Sequence, residues 1–150
     1  MSTHNIGWIG ELDEFQKAYI EAALWVGVDD PDGPDNDPTV YDLPFERIEE
    51  ETARKMMLDC DVFRLIVGEP FQEEMLTRPR GKWPVESLAG HDFWLTRNGH
   101  GAGFWDGDWE GMNPKYGEEW GETLTWIAHL FGVYELSLDV DSGLVYGYAG

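Results

Sequence analysis

Apolar positions recur at helical spacing through ELDEFQKAYIEAALWV (residues 11–26), where Leu12, Phe15, Tyr19, Ala22 and Val26 share one side. Glu11, Asp13 and Glu14 then occupy the first turn, where the helix dipole favours anions. A second helix is predicted over 44–67, with Phe45, Ile48, Thr52, Met56, Cys60, Phe63 and Val67 on its apolar face. Pro44 suits its first position, and Glu46, Glu49, Glu50 and Glu51 load its N-terminal turns. Between the two, residues 29–44 contain four Pro, one Gly and six Asp, which predicts a loop.

A short helical piece follows around 70–76, then the one basic cluster, Arg78, Arg80 and Lys82, then a turn at Ser87 to Ala89. From Asp92 the pattern changes. FWLTRN (93–98) and AGFWD (102–106) flank a Gly-containing connection and read as a β-hairpin. An acidic Gly-rich loop spans 107–117, and residues 118–131 read as a helix with Trp120, Leu124, Ile127 and Phe131 on one face and Gly132 as its stop. The chain closes on a second hairpin, YELSLDV and LVYGY around Asp141-Ser142-Gly143. The expected fold is α+β, a small antiparallel sheet of two hairpins packed against about three helices. The 150 residues suit one domain, with an acidic helical part (1–51) and a hairpin-helix-hairpin part (90–150).

Charge changes this picture more than composition does. The chain carries 30 Asp and Glu against 10 Lys and Arg, a net −20, yet 42% of its residues are hydrophobic, which argues against disorder. The acid is unevenly placed: residues 1–51 have a net charge of −12, residues 52–100 of 0, and residues 101–150 of −8. Such a chain repels nucleic acid and anionic membranes, so neither is an expected partner, and positively charged protein surfaces are. A globule of this length is roughly 38 Å across. That length of duplex DNA carries roughly 22 phosphate charges, close to the net charge of this chain. The carboxylates that would imitate a duplex are Asp29, Asp30, Asp32, Asp35 and Asp37 in the loop and Glu46, Glu49, Glu50 and Glu51 on the second helix. Asp106, Asp108, Glu110, Glu118, Glu119 and Glu122 form a second set.

Other chemistry is less well supported. His91, Asp92, His100 and Asp106 are of metal-ligand type, and a small metal-dependent enzyme is the alternative they raise. A hairpin would put His100 at its turn, far from His91 and Asp106, so the expectation is structural: Phe93, Trp94, Leu95 and Phe104 in the core, Asn98 and the glycines in the turn. GHGAG lacks the Lys of a phosphate-binding loop, and the aspartates of 29–37 lack the EF-hand order. Cys60, the sole cysteine, lies on an apolar helix face and is expected to be buried, and His129 is expected to be an ordinary helix residue. No cofactor and no catalytic residue are expected. A third alternative is an interaction module that uses Trp8, Trp109 and Trp120, with acidity serving solubility.

The stretch AGHDFWLTRNGHGAGFWD (89–106) resembles a motif of small bacteriophage and mobile-element proteins of unknown function. The resemblance extends over roughly 50–148, including the acidic loop, a helix with Leu124-Thr125 near its start, and the terminal hairpin. It implies a phage setting and no catalytic residue. Small acidic phage proteins include anti-CRISPR and anti-restriction inhibitors, several of which imitate DNA. The acidic 1–51 segment departs from the motif proteins. The expectation is therefore an inhibitor of a host defence complex, binding its basic DNA site in the bacterial cytoplasm, with a homodimer compatible with this reading. MSTHNIGWIG has neither the basic region nor the apolar run of a secretory leader, in keeping with that location.

Overall fold

Asp13 starts the first helix. Its carboxylate accepts from the Gln16 amide, while the Gln16 side chain accepts from the Asp13 amide, a reciprocal cap that fixes α1 as Glu14–Trp25. A single 3-10 turn, Gly7–Glu11, precedes it. The computed structural model describes residues 5–26, 28, 43–77, 84–100, 102–105 and 109–149. The predicted loop 29–44 lies outside these except for Leu43 and Pro44, as does the basic cluster Arg78, Arg80 and Lys82.

The second helix begins later than the sequence pattern suggests. Pro44 leads into a 3-10 turn, Phe45–Arg47, and Ile48 is extended, bridging in parallel to Val145 of the terminal hairpin. Glu49 then caps α2, Glu50–Val67, its carboxylate accepting from the amides of Glu51 and Thr52. Gly68, at φ 90°, ends α2 in a conformation that favours glycine. α3, Glu69–Thr77, follows directly.

α4, Val85–Arg97, overturns the predicted first hairpin. Residues 93–97 are its second half, and Ser87 to Ala89 its first turns. The run Phe93-Trp94-Leu95 is apolar without alternation because the helix is enclosed on several sides, and such a run cannot be told from a buried strand by period. Gly90 makes the closest crossing possible: a Cβ there would lie 2.1 Å from the carbonyl oxygen of Phe15, so α4 rests on the backbone of α1. α5, Trp120–Leu130, and the antiparallel pair β1, Tyr134–Leu138, and β2, Val145–Ala149, complete the chain. The described residues thus hold five α-helices and one hairpin, an α+β arrangement with more helix and less sheet than expected.

The core is aromatic. Phe63 of α2 stacks on Phe93 at 4.3 Å and on Phe104 at 5.6 Å, with Phe15 and Phe71 closing the group. A buried ion network crosses it. Arg97 of α4 donates to Asp59 of α2 (2.7 Å) and to the Tyr19 hydroxyl of α1 (2.9 Å). It also donates to the carbonyls of Phe131 and Gly132, which α5 leaves unpaired at its end. Burial works against the Arg97 charge, but Tyr19 and Asp59 outweigh it and hold the guanidinium above its ordinary range.

Candidate functional site

Helix chemistry accounts for part of the first acidic set. Glu49 is the cap of α2, and Glu50 pairs with Arg54 and accepts from Asn5. Glu46 and Glu51 are exposed and pair with no cation among the described residues. Asp29, Asp30, Asp32, Asp35 and Asp37 lie outside the described residues.

The second set surrounds the start of α5. Asn113, fully enclosed, organises the loop: its side chain donates to the Glu118 carbonyl and to Thr123, and accepts from the Tyr116 amide. The amides of Trp120 and Gly121 donate to the carbonyls of Gly111 and Trp109, which lays the loop across the first turn of the helix. Gly121 is required by that approach, since a Cβ would meet the Phe104 carbonyl oxygen at 2.9 Å. Glu110, Glu119 and Glu122 are exposed, and Glu118 is held by Thr123 and by the indole N–H of Trp126. Asp106 and Asp108 lie outside the described residues.

The two sets do not merge. Lys115 and Tyr116 of the second loop donate to the Ile66 carbonyl near the end of α2, while Glu49 to Glu51 begin that helix. At 1.5 Å per residue, α2 rises roughly 25 Å between its acidic start and the Ile66 carbonyl that anchors the second loop.

The cations are engaged elsewhere. Among the described residues Lys17, Arg54, Lys55, Arg64 and Arg97 are ion-paired, while Arg47 and Lys115 donate to carbonyls. The exposed carboxylates of Glu46, Glu51, Glu119 and Glu122 pair with none of these cations.

Most of the described positions of the motif at 89–106 are architectural. Gly90 faces α1; Ala89, Phe93, Trp94 and Leu95 are buried; the Thr96 hydroxyl accepts from the Phe104 amide. Asn98 accepts from the Tyr134 amide and donates to the Trp94 carbonyl, and Gly99 follows at φ 70°. Asp92 is buried and accepts from the Trp109 indole at 2.8 Å, with His91 Nδ1 3.5 Å away. His91 stands in the middle of α4, whereas His100 lies beyond its end, where the His100 amide donates back to the Leu95 carbonyl. Among the described residues no three His, Cys, Asp or Glu side chains gather as metal ligands, and Asp106 is outside them. His91 instead borders a groove of about 440 Å³ between α1 and α4, with Trp25, Glu21 and Ser87. Cys60 is fully buried, and burial pushes its thiol well above its ordinary range.

Trp8, Trp109 and Trp120 are core residues, not surface ones, which removes the aromatic surface expected of them. Among the described residues the exposed tryptophans are Trp25, Trp105 and Trp126, at 62%, 55% and 39%. Trp126 was legible: it falls opposite the Trp120, Leu124, Ile127 stripe of α5. Trp105 carried no such signal, lying in a segment without period. Trp105, Trp126, Glu119, Glu122 and His129 line one pocket of about 480 Å³ beside α5. No family model matches the chain, and no curated protein and no solved structure shows significant similarity to it.

Proposed function

We propose that this chain inhibits a nucleic-acid-binding protein, of the kind that phage and mobile-element proteins direct at host defence complexes. It does so by presenting carboxylates where phosphates would bind. The observation that carries this reading is the segregation of charge. Every described cation is paired or donates to a carbonyl, while Glu46 and Glu51 stand exposed around the start of α2 and Glu119 and Glu122 stand exposed at the start of α5, just after the loop that Lys115 and Tyr116 anchor on Ile66. The partner is a basic protein surface, reached quickly because opposite fields steer the encounter.

The test begins with capture of the partner from a bacterial host extract, followed by competition with duplex DNA. The DNA should displace the protein, and affinity should fall about tenfold or more between roughly 50 and 300 mM salt as the Debye length shrinks. The combined change Glu46→Gln, Glu51→Gln, Glu119→Gln and Glu122→Gln should weaken binding by a similar factor. Binding indifferent to salt and to the four substitutions would end this reading. It would favour a second one, an interaction through the exposed rings of Trp25, Trp105 and Trp126 in which acidity serves only solubility.

A further inference from the structure

We propose that the pocket beside α5 receives an arginine side chain of the protein partner, with its guanidinium against tryptophan and its charge met by Glu119 and Glu122. The identity of the partner rests on the function proposed above; the chemistry of the pocket does not.

Four observations converge. The pocket has a volume of about 480 Å³, more than a guanidinium and its stem need. Trp105 and Trp126 both line it and are 55% and 39% exposed, an apolar cost that a bound ligand would relieve. Trp126 is set in place: its indole N–H donates to Glu118, and its ring meets Tyr116 edge to face at 5.4 Å. Glu119 and Glu122 line the same pocket, are exposed, and pair with no cation among the described residues.

The electrostatics choose the sign of the ligand. The start of α5 contributes about +0.5 of a charge, against two carboxylates with a third, Glu118, beside them. An anion is therefore refused and a cation favoured. Apart from the His129 imidazole, which also lines the pocket, the groups around it are chiefly acceptors and π faces, since the Thr125 hydroxyl already donates to the Gly121 carbonyl at 2.7 Å. The ligand must bring the donors. Guanidinium brings five N–H groups in a plane, stacks on indole, and is less strongly hydrated than ammonium, so arginine fits better than lysine. It is also the side chain that DNA-binding surfaces direct at phosphate.

The probe is ethylguanidinium chloride, titrated into the full chain at constant ionic strength. The readout is the indole N–H resonances of Trp105 and Trp126. Ethylammonium chloride and sodium phosphate serve as comparisons. Expected are saturable shifts of both indoles with ethylguanidinium, about threefold tighter than with ethylammonium, and none with phosphate. Glu119→Gln with Glu122→Gln should weaken binding about fivefold. Trp105→Ala, read at Trp126, should weaken it about as much. Shifts that rise linearly without saturating, or affinities unchanged in the glutamine and Trp105→Ala variants, would overturn the proposal. So would phosphate binding in its place. The titration contains no partner protein, so its failure would leave the carboxylate-mimic reading standing. Conversely, a partner insensitive to salt and DNA would leave a saturable guanidinium site intact.

Discussion

Replacing Gly90 by alanine pits two effects of known sign against each other. Alanine is the better helix former by about 1 kcal/mol, so an unconstrained site would gain stability. Here the new methyl carbon would lie 2.1 Å from the Phe15 carbonyl oxygen, 3.0 Å from its carbon and 3.1 Å from the Tyr19 amide nitrogen. All three are backbone atoms of α1 and none can rotate away. The two helices must part by roughly 1 Å, and a gap of that size forfeits a quarter to a half of each dispersion contact it opens. That loss runs along Phe15, Tyr19, Ala22, Phe93 and Trp94, all buried at this crossing. Overpacking of this kind costs about 1–3 kcal/mol; a clash with rigid backbone belongs at the top of that range, so a net loss of about 2 kcal/mol is expected after the propensity gain of about 1. In a chain of this length that lowers Tm by about 4–8 °C. Urea unfolding of Gly90→Ala should be read beside Gly10→Ala, where an added Cβ meets nothing within 4 Å. A Gly90→Ala protein as stable as the parent would show that α1 and α4 do not cross this closely.

Asp59→Ala should cost about 3 kcal/mol, because Arg97 loses its buried counter-charge while remaining buried itself. A loss under about 1 kcal/mol in urea unfolding would mean the network contributes little. Stability should also fall at alkaline pH. Burial pushes the Tyr19 phenol and the Cys60 thiol well above their ordinary 10.0 and 9.0, so the folded state holds protons that the unfolded chain releases. Their contribution is complete below about pH 9 and declines as the pH rises further. A urea midpoint that stays level from about pH 9 to pH 11 would refute this.

The helices were readable where a cap and a stripe agreed. Phe15, Tyr19 and Ala22 on α1, and Trp120, Leu124 and Ile127 on α5, are buried as their spacing predicts. So is the stripe from Ile48 to Val67, although α2 proper starts only at Glu50. Ile48 belongs to the apolar face as an extended residue, held by Val145 nearly a hundred positions away, and no local pattern reports such a partner. The hairpin expected at 93–106 failed for a related reason. Phe93, Trp94 and Leu95 are buried on several sides of a helix, so neither period shows there. Exposure of tryptophan proved hardest to infer. Composition treats Trp105 and Trp109 alike, yet Trp109 finds Asp92 to accept its indole proton and turns inward. The acidic sets were legible as charge but not as geometry, because their placement depends on a helix lying between them.

Arg97 ties together elements that the chain visits at very different times. One side chain holds α1 through Tyr19, α2 through Asp59 and the end of α5 through two carbonyls. If α4 lifts from α1, α5 loses the donors at its C-terminus and Asp59 loses its guanidinium in the same event. Separate opening of any one helix is thereby made as costly as opening several, and cooperative units of this kind exchange their amide protons together. For a chain whose surface charges repel one another, this one buried cation thus couples the four helices it touches, and amide exchange in α1, α2, α4 and the end of α5 should rise together when Arg97 is lost.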